Sequence, residues 1–74
     1  MQTATEHFDW CIERALEYVN MGDAQGAFSS FVMDMNNHEG TKDRIPPELA
    51  MIGMMETLRG PAAIKQWILG FPKP

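Results

Sequence analysis

Residues 15–31 read ALEYVNMGDAQGAFSSF, and this stretch decides the fold. It turns at Gly22, because glycine adopts a left-handed backbone angle without a Cβ clash and so suits the position just past a helix end. Asp23 follows at once, and its carboxylate can accept hydrogen bonds from the free N–H groups that open the next helix. Small or apolar residues flank the turn: Ala15, Leu16 and Val19 before it, Ala24, Ala27, Phe28 and Phe31 after it. The pattern specifies two helices folded back on each other, an αα-hairpin, with Phe28 expected at its centre.

Upstream, Thr3-Ala4-Thr5-Glu6 fits a capping box, so the first helix is expected to begin near Thr3. Phe8, Cys11, Ile12, Ala15, Leu16 and Val19 recur at steps of three and four, which marks a buried face. Glu6, Asp9, Glu13 and Glu17 run along the opposite side as an acidic stripe. A solvated surface is the ordinary explanation for such a stripe; a contact surface for a basic partner is the functional one. Trp10 and Tyr18 lie off the centre of the apolar stripe, and aromatic residues are enriched at interfaces. Glu6, Asp9, Trp10, Glu13, Glu17 and Tyr18 are therefore the candidate partner-binding residues.

Downstream, a second helix is expected over 24–37. Gly26 weakens it by up to about 1 kcal/mol relative to alanine, and allows the first helix to come close. Asparagine and glycine in Asn36-Asn37-His38-Glu39-Gly40 end it, and residues 38–46 form a polar loop of the kind that carries binding residues. Pro46-Pro47 restarts helix, since proline suits the first helical position. This third helix, over 47–59, is expected to turn Leu49, Ile52, Met55 and Leu58 inward. Gly60-Pro61 separates it from a fourth helix over 61–69, with Ile64, Trp67 and Ile68 packing back and Gly70 closing it. No run alternates as a strand would. The expected fold is all-α: a small bundle of four short helices with an N-terminal αα-hairpin, one domain over residues 1–74.

Seventy-four residues with 45% apolar content suit one small globular domain with a thin stability margin. Cys11 is the only cysteine, so no intrachain disulfide can form. The opening MQTATEHFDW has neither the basic start nor the apolar run of a signal peptide. The longest apolar run, LAMIGMM at 49–55, is far shorter than the about 20 residues a membrane span needs. A soluble, cytoplasmic protein with no membrane association is expected. The net charge of −4 argues against nucleic-acid binding, which relies on a basic surface. Six acidic groups and one basic one fall in residues 1–37, so the acid is concentrated in the hairpin.

Seven methionines are many for this length, serving either to fill core gaps or to build an adaptable apolar groove. His7 and Cys11 stand one helical turn apart, with His38 able to join them. No paired-cysteine motif accompanies them and Cys11 falls on the core face, so neither a metal nor another cofactor is expected. No nucleophile pair with an orienting group and no glycine-rich phosphate loop can be read, which points away from an enzyme. Leu49, Met51, Ile52, Met54, Met55 and Leu58 exceed what one buried stripe holds. A homodimer is therefore expected through the third and fourth helices, with Met51, Met54 and Trp67 at the interface.

Two resemblances add to this reading. Ala15, Tyr18, Gly22-Asp23, Ala27 and Phe31 resemble the core positions of one tetratricopeptide repeat; Glu39 stands where that repeat closes with proline, and no second copy follows. This implies hairpin packing only. HFDWC (7–11), RALEY (14–18), Gly22-Asp23 and His38-x-Gly40-Thr41 resemble small uncharacterised proteins encoded by bacteriophages of actinobacteria. That resemblance implies a phage accessory protein acting on host machinery. The resulting expectation is a non-catalytic protein-binding protein that modulates a host or defence protein. The alternatives are an oligomeric binder of a nucleotide-type ligand, with Lys42, Arg44, Arg59 and Lys65 supplying charge, and a structural subunit of a larger assembly.

Overall fold

Each helix starts and stops where local chemistry dictates. The computed structural model describes residues 3–74, and its helices are α1 (Ala4–Asn20), α2 (Ala24–Asn36), α3 (Pro47–Thr57) and α4 (Pro61–Leu69). No strand occurs among the described residues, and the fold is the expected all-α bundle of four short helices. At the start of α1 the Glu6 amide donates to the Thr3 hydroxyl (3.1 Å), and the Thr3 amide donates to Glu6 Oε1 (2.9 Å). These reciprocal bonds satisfy two of the donors a helix start leaves open.

The bond from the Thr3 amide, with help from its hydroxyl, holds the Glu6 carboxyl below its ordinary value of 4.5. A lowered folded-state value means the stabilisation is complete above the ordinary value and is lost as pH falls from there through the lowered, folded-state value. The first turn of α1 should fray on acidification. Amide exchange of residues 4–7 checks this, and Glu6→Gln, which keeps the cap without titrating, should remove that part of the pH dependence.

The α1–α2 turn follows the sequence closely. Gly22 sits at φ +78°. Its amide donates to the Val19 carbonyl and that of Asp23 to the Tyr18 carbonyl, both at 2.9 Å. This is the Schellman pattern, which satisfies carbonyls the helix end would leave open. Asp23 Oδ1 then accepts from the Gly26 amide at 2.8 Å. Gly26 does admit close approach: a Cβ there would lie 2.7 Å from Cδ1 of Tyr18. Proline at the first position of α3 and of α4, and Gly60 at φ +112°, complete the punctuation.

The core lies where α4 crosses the hairpin. Phe8, Cys11 and Ala15 of α1, Ala27, Phe31 and Met35 of α2, and Ile64 and Ile68 of α4 are buried. Phe31 occupies the centre that the sequence assigns to Phe28. Phe28 is only half-buried, one turn nearer the start of α2, against Trp67 at a ring-centroid distance of 5.6 Å.

The 38–46 segment is not a free loop. Thr41 is fully buried and its hydroxyl donates to the Met35 carbonyl at 2.7 Å, which satisfies the end of α2. Gly40 meets α1 so closely that a Cβ would sit 2.5 Å from Cβ of Ala4. His38 stacks on His7 at 4.7 Å between centroids.

Helix α3 departs most from expectation. It touches α2 and α4 but not α1. Of the residues expected inward, Leu49, Ile52, Met55 and Leu58 are all exposed. Its one buried residue is Gly53. A Cβ at that position would lie 2.6 Å from Cε1 of Phe28 and 2.7 Å from Cζ2 of Trp67. Two aromatic rings take the space that a side chain on α3 would need. The helix therefore presents a bare patch of backbone to the core and turns its large side chains outward.

Candidate functional site

The outer face of α3 is the candidate site. Met51 is 65% exposed, Ile52 47%, Met54 58%, Met55 64% and Leu58 85%, all within eight consecutive positions. Burying a side chain of this size is worth about 1.5–3 kcal/mol, so leaving five in water forgoes much stabilisation in so small a chain. Monomers rarely expose contiguous apolar patches larger than a few hundred Å², and larger ones are characteristic of contact surfaces. Beside the face runs an open groove of about 470 Å³ between α2 and α3, lined by Gln25, Phe28, Ser29, Met54, Met55 and Leu58. Thioether side chains are flexible enough to fit more than one shape of partner.

Of the three residues expected at a self-association surface, Met51 and Met54 lie on this face. Trp67 does not. Its indole is half-buried among Phe28, Phe31 and Phe71, with the Phe71 ring edge-on at 4.9 Å, and it belongs to the protein's own packing. Its Nε1–H is buried and has no hydrogen-bond acceptor among the described residues.

The acidic face of α1 divides into engaged and open groups. Glu6 caps its own helix, and Asp9 reaches Lys73 of the C-terminal segment at 3.6 Å. Glu13 and Glu17 are exposed, and no ion pair holds either of them among the described residues. Trp10 is exposed on one side, while its ring carries the Arg14 guanidinium at 4.9 Å and neighbours His7 at 5.4 Å. Arg14 Nε also donates to Asp34 Oδ2 at 2.9 Å, and this bond and charge raise the Arg14 pKa further. Trp10, Arg14 and Asp34 thus tie α1 to α2 across the surface. Tyr18, expected as a partner contact, is half-buried and packs against Gly26 in the hairpin.

His7 and Cys11 face inward. His7 is 6% exposed, with Nε2 2.6 Å from the Asp34 carbonyl oxygen. Burial, and secondarily the Asp34 charge, push the Cys11 thiol up to about 12. The thiolate is the reactive form of cysteine, so burial and the raised pKa leave this thiol slow to react with reagents in solution. Native protein at pH 8 should react with a thiol reagent about a hundredfold or more slowly than unfolded protein, because reaction waits for opening. Labelling at the unfolded rate would contradict the burial of Cys11.

The four cations considered for a nucleotide-type ligand are spread over three parts of the chain: Lys42 and Arg44 on the 38–46 segment, Arg59 just after α3, and Lys65 on α4. Lys42 pairs with Glu39 at 3.0 Å and Arg59 with Glu56 at 3.2 Å, each a carboxylate three residues away. Arg44 and Lys65 are exposed on the 38–46 segment and on α4. Among the described residues, no helix is long and apolar enough to cross a membrane. No protein-family model, curated protein or solved structure matches the chain.

Proposed function

We propose that this protein is non-catalytic and acts by binding other polypeptide chains, with the outer face of α3 as its working surface. One observation carries the reading: Met51, Ile52, Met54, Met55 and Leu58 stand in solvent on a helix that meets the rest of the chain through a glycine. The buried, protonated Cys11 and the inward His7 fit a structural role for the groups best suited to chemistry. Glu13, Glu17 and the open side of Trp10 offer a second contact, suited to a basic partner. The resemblance of the first 41 residues to phage proteins supports an accessory role in the host cytoplasm, directed at a host or defence protein.

The test compares the wild-type protein with the double variant Ile52→Glu/Met55→Glu, both immobilised and exposed to host extract. Both positions are exposed, so circular dichroism should show unchanged helicity. Polypeptides retained by the wild type and lost by the variant support the reading. Identical retention by both, with a one-chain mass for both proteins in light scattering, overturns it.

A further inference from the structure

Helix α3 carries charge at the two ends of its outer stripe. At about 100° per residue, Glu48, Met51, Ile52, Met55, Leu58 and Arg59 fall on one side, at steps of three, four, seven, ten and eleven from Glu48. The turn continues past Thr57 through hydrogen bonds from the Leu58 amide to Met55 and from the Arg59 amide to Glu56, so Arg59 remains on this side. Glu48 is exposed and has no ion pair among the described residues. Arg59 is 72% exposed and uses only Nη1 toward Glu56. Its remaining donors are available, since a guanidinium carries five N–H groups.

We propose that the occupant of this face is a second copy of the same chain, with the two α3 helices paired antiparallel about a twofold axis on the outer side of α3, level with the midpoint between residues 53 and 54. The inference rests on the reading of α3 as a protein-binding face. A twofold contact needs a surface complementary to itself. This stripe has that property: an antiparallel copy places Glu48 beside the partner's Arg59, and the reverse, one negative end against one positive end at each edge. Ile52 and Met55 of one chain meet the partner's Met55 and Ile52 at the centre, and Met51 and Leu58 flank them. A parallel copy would set Glu48 against Glu48 and Arg59 against Arg59, and like charges so placed repel. A membrane surface is a poorer occupant, because such faces are ringed by lysine and arginine, whereas Arg59 is the only cation on this stripe.

Light scattering coupled to gel filtration, across a micromolar dilution series, reads the state of the full chain. A two-chain mass that falls to one chain on dilution is expected, with one-chain mass throughout for Ile52→Glu/Met55→Glu. Glu48→Arg and Arg59→Glu should each weaken the dimer by about tenfold, because symmetry disrupts two pairs at once. The double reversal should restore most of the affinity, which only pairing between copies explains. Reversals without effect overturn the antiparallel arrangement, and a dimer that survives Ile52→Glu/Met55→Glu overturns the use of this face. A one-chain mass at every concentration, with full helicity, overturns self-pairing. If a different polypeptide is still captured through Ile52 and Met55, the binding role of α3 stands without it. Binding of the one-chain form to vesicles of mixed zwitterionic and anionic lipid, lost in Ile52→Glu/Met55→Glu, overturns both.

Discussion

Phe31→Ala is expected to cost about 3–5 kcal/mol, the range for removing a fully buried aromatic ring. Phe31 is 0% exposed and lies between the helices of the hairpin and the α4 end, with Trp67 edge-on at 5.9 Å and Phe71 at 5.3 Å. Truncation leaves a cavity that three elements would have to move together to fill. Domains of this kind are stable by only about 5–15 kcal/mol in total, so the variant should melt at least about 12 °C lower or fail to fold. Phe28→Ala should cost distinctly less, because its ring is half-buried and solvent can relax into the space. Thermal melts of the two variants side by side check the register of α2. If Phe28→Ala were the more damaging, the helix would be rotated from the position described.

Gly53→Ala should destabilise the packing of α3 despite improving its helix propensity. In isolation the change favours helix by about 1 kcal/mol. In place, the new methyl carbon would lie 2.6–2.8 Å from the rings of Phe28 and Trp67, inside contact distance for both. Forcing atoms into a filled space costs about 1–3 kcal/mol, so the clash outweighs the propensity gain. Gly53→Val, with two further methyl groups, should release α3 from the bundle. The readout is amide exchange along 47–57 together with Trp67 fluorescence in a Trp10→Phe background. A Gly53→Ala protein with slower exchange and a higher melting temperature would show that α3 does not dock through its glycine.

Much of the fold was legible in short-range chemistry. The capping box at Thr3 and Glu6, the glycine at 22, the aspartate cap at 23 and the Gly60-Pro61 break all depend on residues within about one turn of each other. Their hydrogen bonds form as the sequence implies because nothing distant competes for the groups involved. The burial of Cys11 and Ala15 also followed from a three-and-four spacing that leaves α1 one consistent apolar side.

The candidate site was legible only in part. An excess of apolar residues on the third helix could be counted, but not the side on which it would appear. Helix α3 is apolar nearly all round, so periodicity gives it no preferred inner face. The signal that could have placed it was Gly53, a residue that weakens a helix interior and so implies close approach at that point. Which rings would fill the space could not be known before Phe28 and Trp67 were brought together from positions far apart in the chain. Thr41 was likewise read as part of a polar loop. Its burial depends on the Met35 carbonyl at the end of α2, an acceptor that needs a donor once water is excluded.

The sequence by itself determined where the four helices begin, where they end to within about two residues, and that the first two fold back as a hairpin, because caps and turns are set by neighbours along the chain. Tertiary structure alone decided that Phe31 rather than Phe28 fills the centre, and that α3 rests on its glycine. The physical reason is volume. Two aromatic rings from different helices occupy the space next to Gly53, and once they are there the large side chains of α3 have nowhere to point except outward.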